Sequence, residues 1–292
     1  RGRMGFDFTA YTISTTNQIV SVAADQITGA TGYTINAGKI SSKGLEISFN
    51  AVPVRTHNFE WSVNLNWSKI WNKLDKLQDN WNPNEPYQTD MGTTIGNRVY
   101  IYSYVGHQMY HIYGYGYKRA PEGSYYLDSN GSKIDCSGAK IINSSGYPVL
   151  DTSNLIDLGK VNPDWTGGFS TAFRYKNWNL SMDFSAQVGG HCYSVTNFAL
   201  SYQGKLKNSL IGRYDGFVVN GVQATSQNGI YTKNSTVFTS AETYYNSYVW
   251  NRNNAEENTF RTDFLKLRQV RLDFIVPKRL CRGTKFLEDA SI

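Results

Sequence analysis

The chain has 292 residues, 40% of them hydrophobic and 18% charged, with a formal net charge of +6 and a mean hydropathy of −0.46. It contains no run of the ~18 apolar residues that a membrane-crossing helix needs, which excludes a helical membrane protein. Lysines and arginines are scattered rather than striped among aromatics, which argues against nucleic acid as a partner.

Side chains on a strand switch faces at every residue, so strict alternation marks a strand with one apolar and one polar side. In chain order, Phe6, Phe8 and Ala10 alternate with Asp7, Thr9 and Tyr11, and Leu45, Ile47, Phe49 and Ala51 with Glu46, Ser48 and Asn50. The longest stretch follows: Phe59, Trp61, Val63, Leu65 and Trp67 oppose Glu60, Ser62, Asn64, Asn66 and Ser68, within a segment running to Trp71. It far exceeds the usual ~5–6 residues of a strand in a soluble sheet. Further on, Phe169, Phe173 and Tyr175 oppose Ser170, Ala172 and Arg174, and Trp178, Leu180, Met182, Phe184 and Ala186 oppose Asn179, Ser181, Asp183, Ser185 and Gln187. In Phe264–Val276 the pattern slips by one residue, which predicts a β-bulge near Arg268 or Gln269.

The connections alternate in length. Val52–His57, Lys176–Asn177 and Pro277–Thr284 are short, whereas Thr16–Ser41, Asn72–Thr166 and Gly189–Asp263 are long. For strands running alternately up and down, every short link falls at one end and every long one at the other, as in outer-membrane barrels. The predicted fold is therefore all-β: part of an antiparallel transmembrane β-barrel with long extracellular loops. Phe59, Trp61, Leu65, Trp67, Phe169, Phe173, Leu180 and Phe184 are then expected to face lipid. Glu46, Asn50, Glu60, Asn64, Asn66, Asp183 and Gln187 are expected to face a solvated lumen.

The long segments are rich in Asn, Ser, Thr, Gly and Tyr, a composition of folded loops rather than disorder. Tyr100–Tyr104 and Tyr113–Tyr117 are expected to add short strands at or above the top of the barrel, and Asp128–Ser132 a tight turn. Trp81, Tyr87, Tyr244, Tyr245, Tyr248 and Trp250 sit among amides and hydroxyls, where aromatic faces could stack on sugar rings while neighbours bond hydroxyls. No catalytic, metal or cofactor constellation emerges. His107 and His111 lack the glutamate of an HExxH pair, and Asp128–Lys133 departs from a calcium loop after its first positions. Cys136, Cys192 and Cys281 are too dispersed for a disulfide framework or a zinc site, and a Cys136–Cys192 bridge stays open. The opening Arg-Gly-Arg-Met-Gly carries no signal peptide. Lys285–Ile292 resembles the onset of a further strand, so both ends are expected to be cuts in a longer protein.

Four segments resemble, in order and spacing, the C-terminal barrel of the SusC/RagA family of TonB-dependent outer-membrane transporters. They are NAGKISSKGLEISFN from Asn36, FEWSVNLNWSKI from Phe59, VNPDWTGGFSTAFRYKNWNLSMDFSAQVGG from Val161 and FLKLRQVRLDFIVPKRL from Phe264. The resemblance implies a plugged barrel of about 22 strands, of which residues 1–292 supply about seven to eight, without the plug or the closing strands. It further implies a Bacteroidetes-type outer membrane and a SusD-like lipoprotein over the mouth. Energy would come through TonB, bound by a region outside this chain, for import of oligosaccharide or, second, peptide. Two readings compete: a soluble carbohydrate-binding β-sandwich, which leaves the long strands and one-sided loops unexplained, and a small passive barrel or adhesin.

Overall fold

The computed structural model describes residues 2–23, 32–36, 38–88, 99–225 and 227–277. Six long strands form one open antiparallel sheet: β1 (Met4–Thr16), β2 (Lys39–Arg55), β3 (Phe59–Lys76), β4 (Pro163–Tyr175), β5 (Trp178–Gly189) and β6 (Phe264–Phe274). Each pairs with its successor, so the sheet is a plain up-and-down meander. Against the seven to eight strands expected, six lie among the described residues. The onset at Lys285–Ile292, most of the Pro277–Thr284 link and Cys281 fall outside them.

The register turns six local alternations into two continuous faces. Phe6, Phe49, Leu65, Phe169, Phe184 and Leu267 lie in line across the strands, and the next rung but one is Met4, Ala51, Val63, Thr171, Met182 and Val270. Between them, pointing the other way, runs Gly5, Asn50, Asn64, Ser170, Asp183 and Gln269. A one-residue slip anywhere would break these rungs, since it sends every later side chain to the opposite face. β6 keeps them through the bulge foreseen in the sequence. Asp183 pairs with Gln269 and Phe184 with Leu267, leaving Arg268 over, its Nε donating to Ser185 Oγ at 2.6 Å.

The short links lie at one end. Between β2 and β3, Thr56 N–H donates to Phe59 O at 2.7 Å, and Phe59 N–H returns to Thr56 Oγ1 at 3.0 Å. The two-residue link between β4 and β5 holds Lys176 at φ 52°, the positive φ that so tight a hairpin demands. The long excursions leave from the other end, and they are folded. The first carries the hairpin Ile19–Ala23 with Gly32–Asn36. The second includes the strands Tyr87–Gln88, Val99–Ser103, His111–Tyr117 and Leu150–Lys160, which form a four-stranded sheet leading directly into β4. A five-stranded sheet then draws Tyr125–Leu127, Lys133–Asp135 and Ile141–Ile142 from the second excursion, and Val222–Ala224 and Ile230–Lys233 from the third. Tyr100–Tyr104 and Tyr113–Tyr117 thus supply strands as expected. Asp128 makes the predicted turn, its Oδ1 accepting from the Asn130 and Ser132 amides at 2.8 Å.

The buried core belongs to these excursions. Ile142, Tyr147, Val219 and Phe238 form one cluster, and Tyr245, Val249 and Trp250 another. The sheet's own apolar face has no such cover: Phe6 is 68% exposed, Leu265 76% and Leu272 60%. A sandwich needs a second layer packed about 10 Å away over that face, and among the described residues there is none. Cys136 is buried and Cys192 exposed, both as free thiols, so the bridge left open by the sequence is absent.

Candidate functional site

Every residue assigned from the sequence to the apolar side lies on the apolar face. Phe59, Trp61, Leu65 and Trp67 of β3 align with Tyr175, Phe173, Phe169 and Gly167 of β4, and these align with Trp178, Leu180, Phe184 and Ala186 of β5. Thr171, a polar side chain on the same face, is satisfied within the wall. The Trp61 indole N–H donates to Thr171 Oγ1 at 2.9 Å, and that hydroxyl donates to Ser62 O at 3.3 Å. Water-free surroundings require such pairing, because an orphaned N–H there is costly.

Glu46, Asn50, Glu60, Asn64, Asn66, Asp183 and Gln187 share the opposite face. Glu46, Ser68, Thr166 and Gln187 form one rung, with the Ser68 and Thr166 hydroxyls 2.9 Å apart. Gly168 leaves room on this face for the Asn66 amide, which a Cβ would meet at 2.7 Å and turn aside. Near the short turns a charged rung crosses five strands: Arg55, Glu60, Arg174, Asn179 and Asp273. Arg55 and Arg174 both reach Glu60 Oε2, at 2.6 and 3.3 Å, while Arg271 Nε and Asn179 Nδ2 donate to Asp273 at 2.6 and 3.2 Å. The face offers hydroxyls, amides and paired charges, a hydrated surface.

At the top of β3 the polar parity is broken by Leu74, only 1% exposed, packed with Leu77 and Met109. Segment 106–109 lies along β3 there: Met109 N–H donates to Asn72 O at 3.1 Å, and Leu74 N–H to His107 O at 3.2 Å. The second excursion thus pairs edge to edge with β3 at Lys73 and Gln108, beyond its last pair with β4, and packs Met109 against Leu74.

The structure gives the six loop aromatics packing neighbours. Trp81 and Tyr87 lie against the Leu74–Leu77–Met109 cluster. Tyr244 stacks on Phe238 at 4.6 Å, Tyr248 on Tyr147 at 5.1 Å, and Tyr245 on Trp250 at 4.3 Å. Tyr245 and Trp250 are 8% and 3% exposed, and what remains borders an open cleft of about 560 Å³ with Arg213 and Glu242.

A second aromatic group, not singled out from the sequence as a site, lies open. Cross-strand pairing sets Tyr100 opposite Tyr113, Tyr102 opposite His111, and Tyr113 opposite Asp157, all on one face of the four-stranded sheet. Alternate residues Ile112, Gly114 and Gly116 are buried, whereas His111, Tyr113 and Tyr115 are half-exposed. Tyr102 lies 5.3 Å from Tyr100 and 5.5 Å from Tyr113, and Tyr104 meets Tyr113 edge-on at 5.8 Å. Together with Gln108, His107, His111 and Asp157, these rings bound a cleft of about 390 Å³. The alternation of tyrosines in Tyr100–Tyr104 and Tyr113–Tyr117 was the available signal; the pairing that joins them to Asp157 is non-local.

The electrostatics of this cleft are settled by hydrogen bonds. Burial would raise the Asp157 carboxyl, but the bond with His111 Nδ1 and the Gly159 amide, each at 2.8 Å, hold it below the usual carboxylate range. Burial and then the Asp157 charge push the Tyr113 phenol up to about 12, and burial also raises Tyr102. At neutral pH the Asp157 carboxyl is therefore ionised and the Tyr113 and Tyr102 phenols keep their protons. Among the described residues no cluster of three or more metal-ligating side chains occurs.

No protein-family model matches the chain. It is 27% identical over 210 residues to TonB-dependent receptor P3 of Formosa agariphila, covering 66% of this chain and 19% of that protein. It is 24% identical over 163 residues to TonB-dependent receptor SusC of Bacteroides thetaiotaomicron, covering 55% of this chain and 15% of SusC. The chain thus spans about a fifth or less of the curated relatives it matches. The fold is similar to the RagAB peptide importer in its closed-closed state, with a TM-score of 0.63 at 16% identity over 99% of this chain and 29% of that one. The open-open state gives 0.62.

Proposed function

This chain belongs to the SusC/RagA family of TonB-dependent receptors, which are outer-membrane proteins, and from that premise we propose that it forms part of the barrel wall and outer mouth of an active nutrient importer. Residues 1–292 would be a C-terminal portion of the barrel, with plug and closing strands supplied by the rest of the receptor. The apolar face would meet acyl chains, and the polar face would line the lumen. A SusD-like lipoprotein would close over the folded excursions, and TonB would energise import through another part of the receptor. The cargo we favour is an oligosaccharide; peptide is the alternative, suggested by the likeness to RagAB.

One observation carries this reading. Among the described residues an apolar face six strands wide lies uncovered, while most of the buried core sits in the excursions at one end. A monomeric soluble protein seldom exposes an apolar patch beyond ~300–600 Å², whereas a barrel wall needs one. The function proposed is that of a conduit, which moves its cargo without a chemical step on it.

The experiment is uptake by cells carrying the intact receptor and its lipoprotein. Deleting the receptor gene should abolish growth on one class of oligosaccharide, and loss of TonB should do the same. Unchanged growth on every oligosaccharide and peptide source would refute import.

A further inference from the structure

We propose that the face carrying Tyr102, Tyr104, Tyr113, His111 and Asp157 is a sugar-binding subsite at the mouth, taking a neutral hexose or pentose ring of the cargo. The inference rests on the import reading and deepens it by placing a recognition surface outside the wall.

Tyr245 and Trp250 are spent on packing, 8% and 3% exposed within their cluster. On the four-stranded sheet the burial duty falls to the opposite face, where Ile112 is 3% exposed, and Tyr102, Tyr104 and Tyr113 stay half-buried on theirs, bordering the cleft. Neighbouring rings at 5.3–5.8 Å meet at interplanar angles of 15°, 36° and 62°. They form an uneven platform rather than one flat stack, and the C–H faces of a puckered sugar ring suit it.

The polar complement is equally specific. His111 already orients Asp157, which stays ionised and accepts strongly from hydroxyls. Gln108 adds an amide, and the raised phenols of Tyr102 and Tyr113 keep their O–H donors. Neither lysine nor arginine lines the cleft, and the Asp157 carboxylate disfavours an anionic sugar or a peptide carboxylate. An extended peptide is normally held by an unpaired strand edge, and this cleft offers a sheet face instead. Its ~390 Å³ lies within the ~300–1,000 Å³ of small-ligand sites.

Position supports the same role. The cleft hangs on the upper ends of β3 and β4. Segment 106–109 bonds to Asn72 and Leu74, and the Val161 amide donates to Tyr110 O at 2.8 Å as its strand enters β4. A ring held there lies at the end of the wall from which cargo enters.

The test uses the intact receptor with its lipoprotein and titration calorimetry. Probes are neutral gluco-, xylo-, manno- and galacto-oligosaccharides, with an unrelated peptide pool as comparison. The proposal expects one glycan class to bind. Tyr102→Ala with Tyr113→Ala should weaken it by about tenfold or more, the factor that ~1.4 kcal/mol represents. Tyr104→Ala and Asp157→Asn, which disturb packing less, should each weaken it severalfold while uptake-competent receptor still reaches the membrane. Full affinity in all variants would overturn the subsite and leave the import reading standing. Peptide binding that the variants weaken would overturn the sugar assignment. Neither binding nor uptake of any probe would overturn both.

Discussion

The Tyr117 hydroxyl donates to Glu257 Oε2 at 3.0 Å, joining the second excursion to the third. Around it, Glu256 Oε2 accepts the Tyr117 amide at 3.0 Å, Arg119 pairs with Glu256, and the Lys140 ammonium lies 3.6 Å from the Tyr117 ring centroid. The two long loops are thus one folded unit with an internal polar seam.

That seam should be sensitive to alkali. Burial, and then the Glu257 carboxylate, raise the Tyr117 phenol well above its ordinary value of 10.0. A raised folded-state value means stability fully present below pH 10 and lost as pH climbs beyond it. Protease sensitivity of the excursions should therefore rise above pH 10 in step with tyrosinate absorbance. Tyr117→Phe should cost roughly 1 kcal/mol at neutral pH, at the low end for a bond to a charged group because Glu257 still reaches solvent, and should blunt the alkaline loss. An unchanged alkaline profile in that variant would count against the seam.

The Trp61–Thr171 pair predicts a cost for removing a hydroxyl from the apolar face. Thr171→Val keeps the shape but orphans the indole N–H, at about 1–3 kcal/mol. Thr171→Ser should recover most of it. Denaturant midpoints of the intact receptor in detergent measure both, and a neutral Thr171→Val would mean the indole finds another acceptor.

The bulge makes a sharper prediction. Deleting Arg268 would join Leu267 to Gln269 and keep every pair with β5 and every face, so assembled receptor in the outer membrane should stay near the wild-type yield. Deleting Arg271, from the regular stretch, has no such escape: it sends Leu272 or Val270 to the polar side, and assembly should fall severely. Equal yields of the two deletions would contradict the register.

Leu74→Ala should open a cavity beneath the second excursion and cost about 2–5 kcal/mol locally. Hydrogen exchange should accelerate in segment 105–110 and not in the middle of β3. Protection unchanged in 105–110 would show that the excursion is seated by other contacts.

The wall was legible because each strand's two faces are written in its own alternation. Even the Arg268 bulge was visible, as a change of parity between Leu267 and Val270. Leu74 was not legible: it shares parity with Asn64 and Asn66, and only a loop 35 residues further on, at Met109, buries it. The aromatic assignment shows the same limit. Trp250 and Tyr102 have similar neighbours in sequence, rich in Asn, Ser and Tyr, and local composition does not say which will be packed. Tertiary pairing decides that, for Tyr113 by setting it opposite Asp157.

The central claim is that the Leu65 side of the sheet meets lipid and the Asn64 side meets water. Outer-membrane assembly of the intact receptor, followed by heat-modifiable mobility, tests it at adjacent residues. Leu65→Arg should block or sharply reduce assembly, since an arginine facing mid-bilayer lipid costs about 2–4 kcal/mol, and Asn64→Arg should assemble nearly as wild type. Equal tolerance at the two positions would contradict the account.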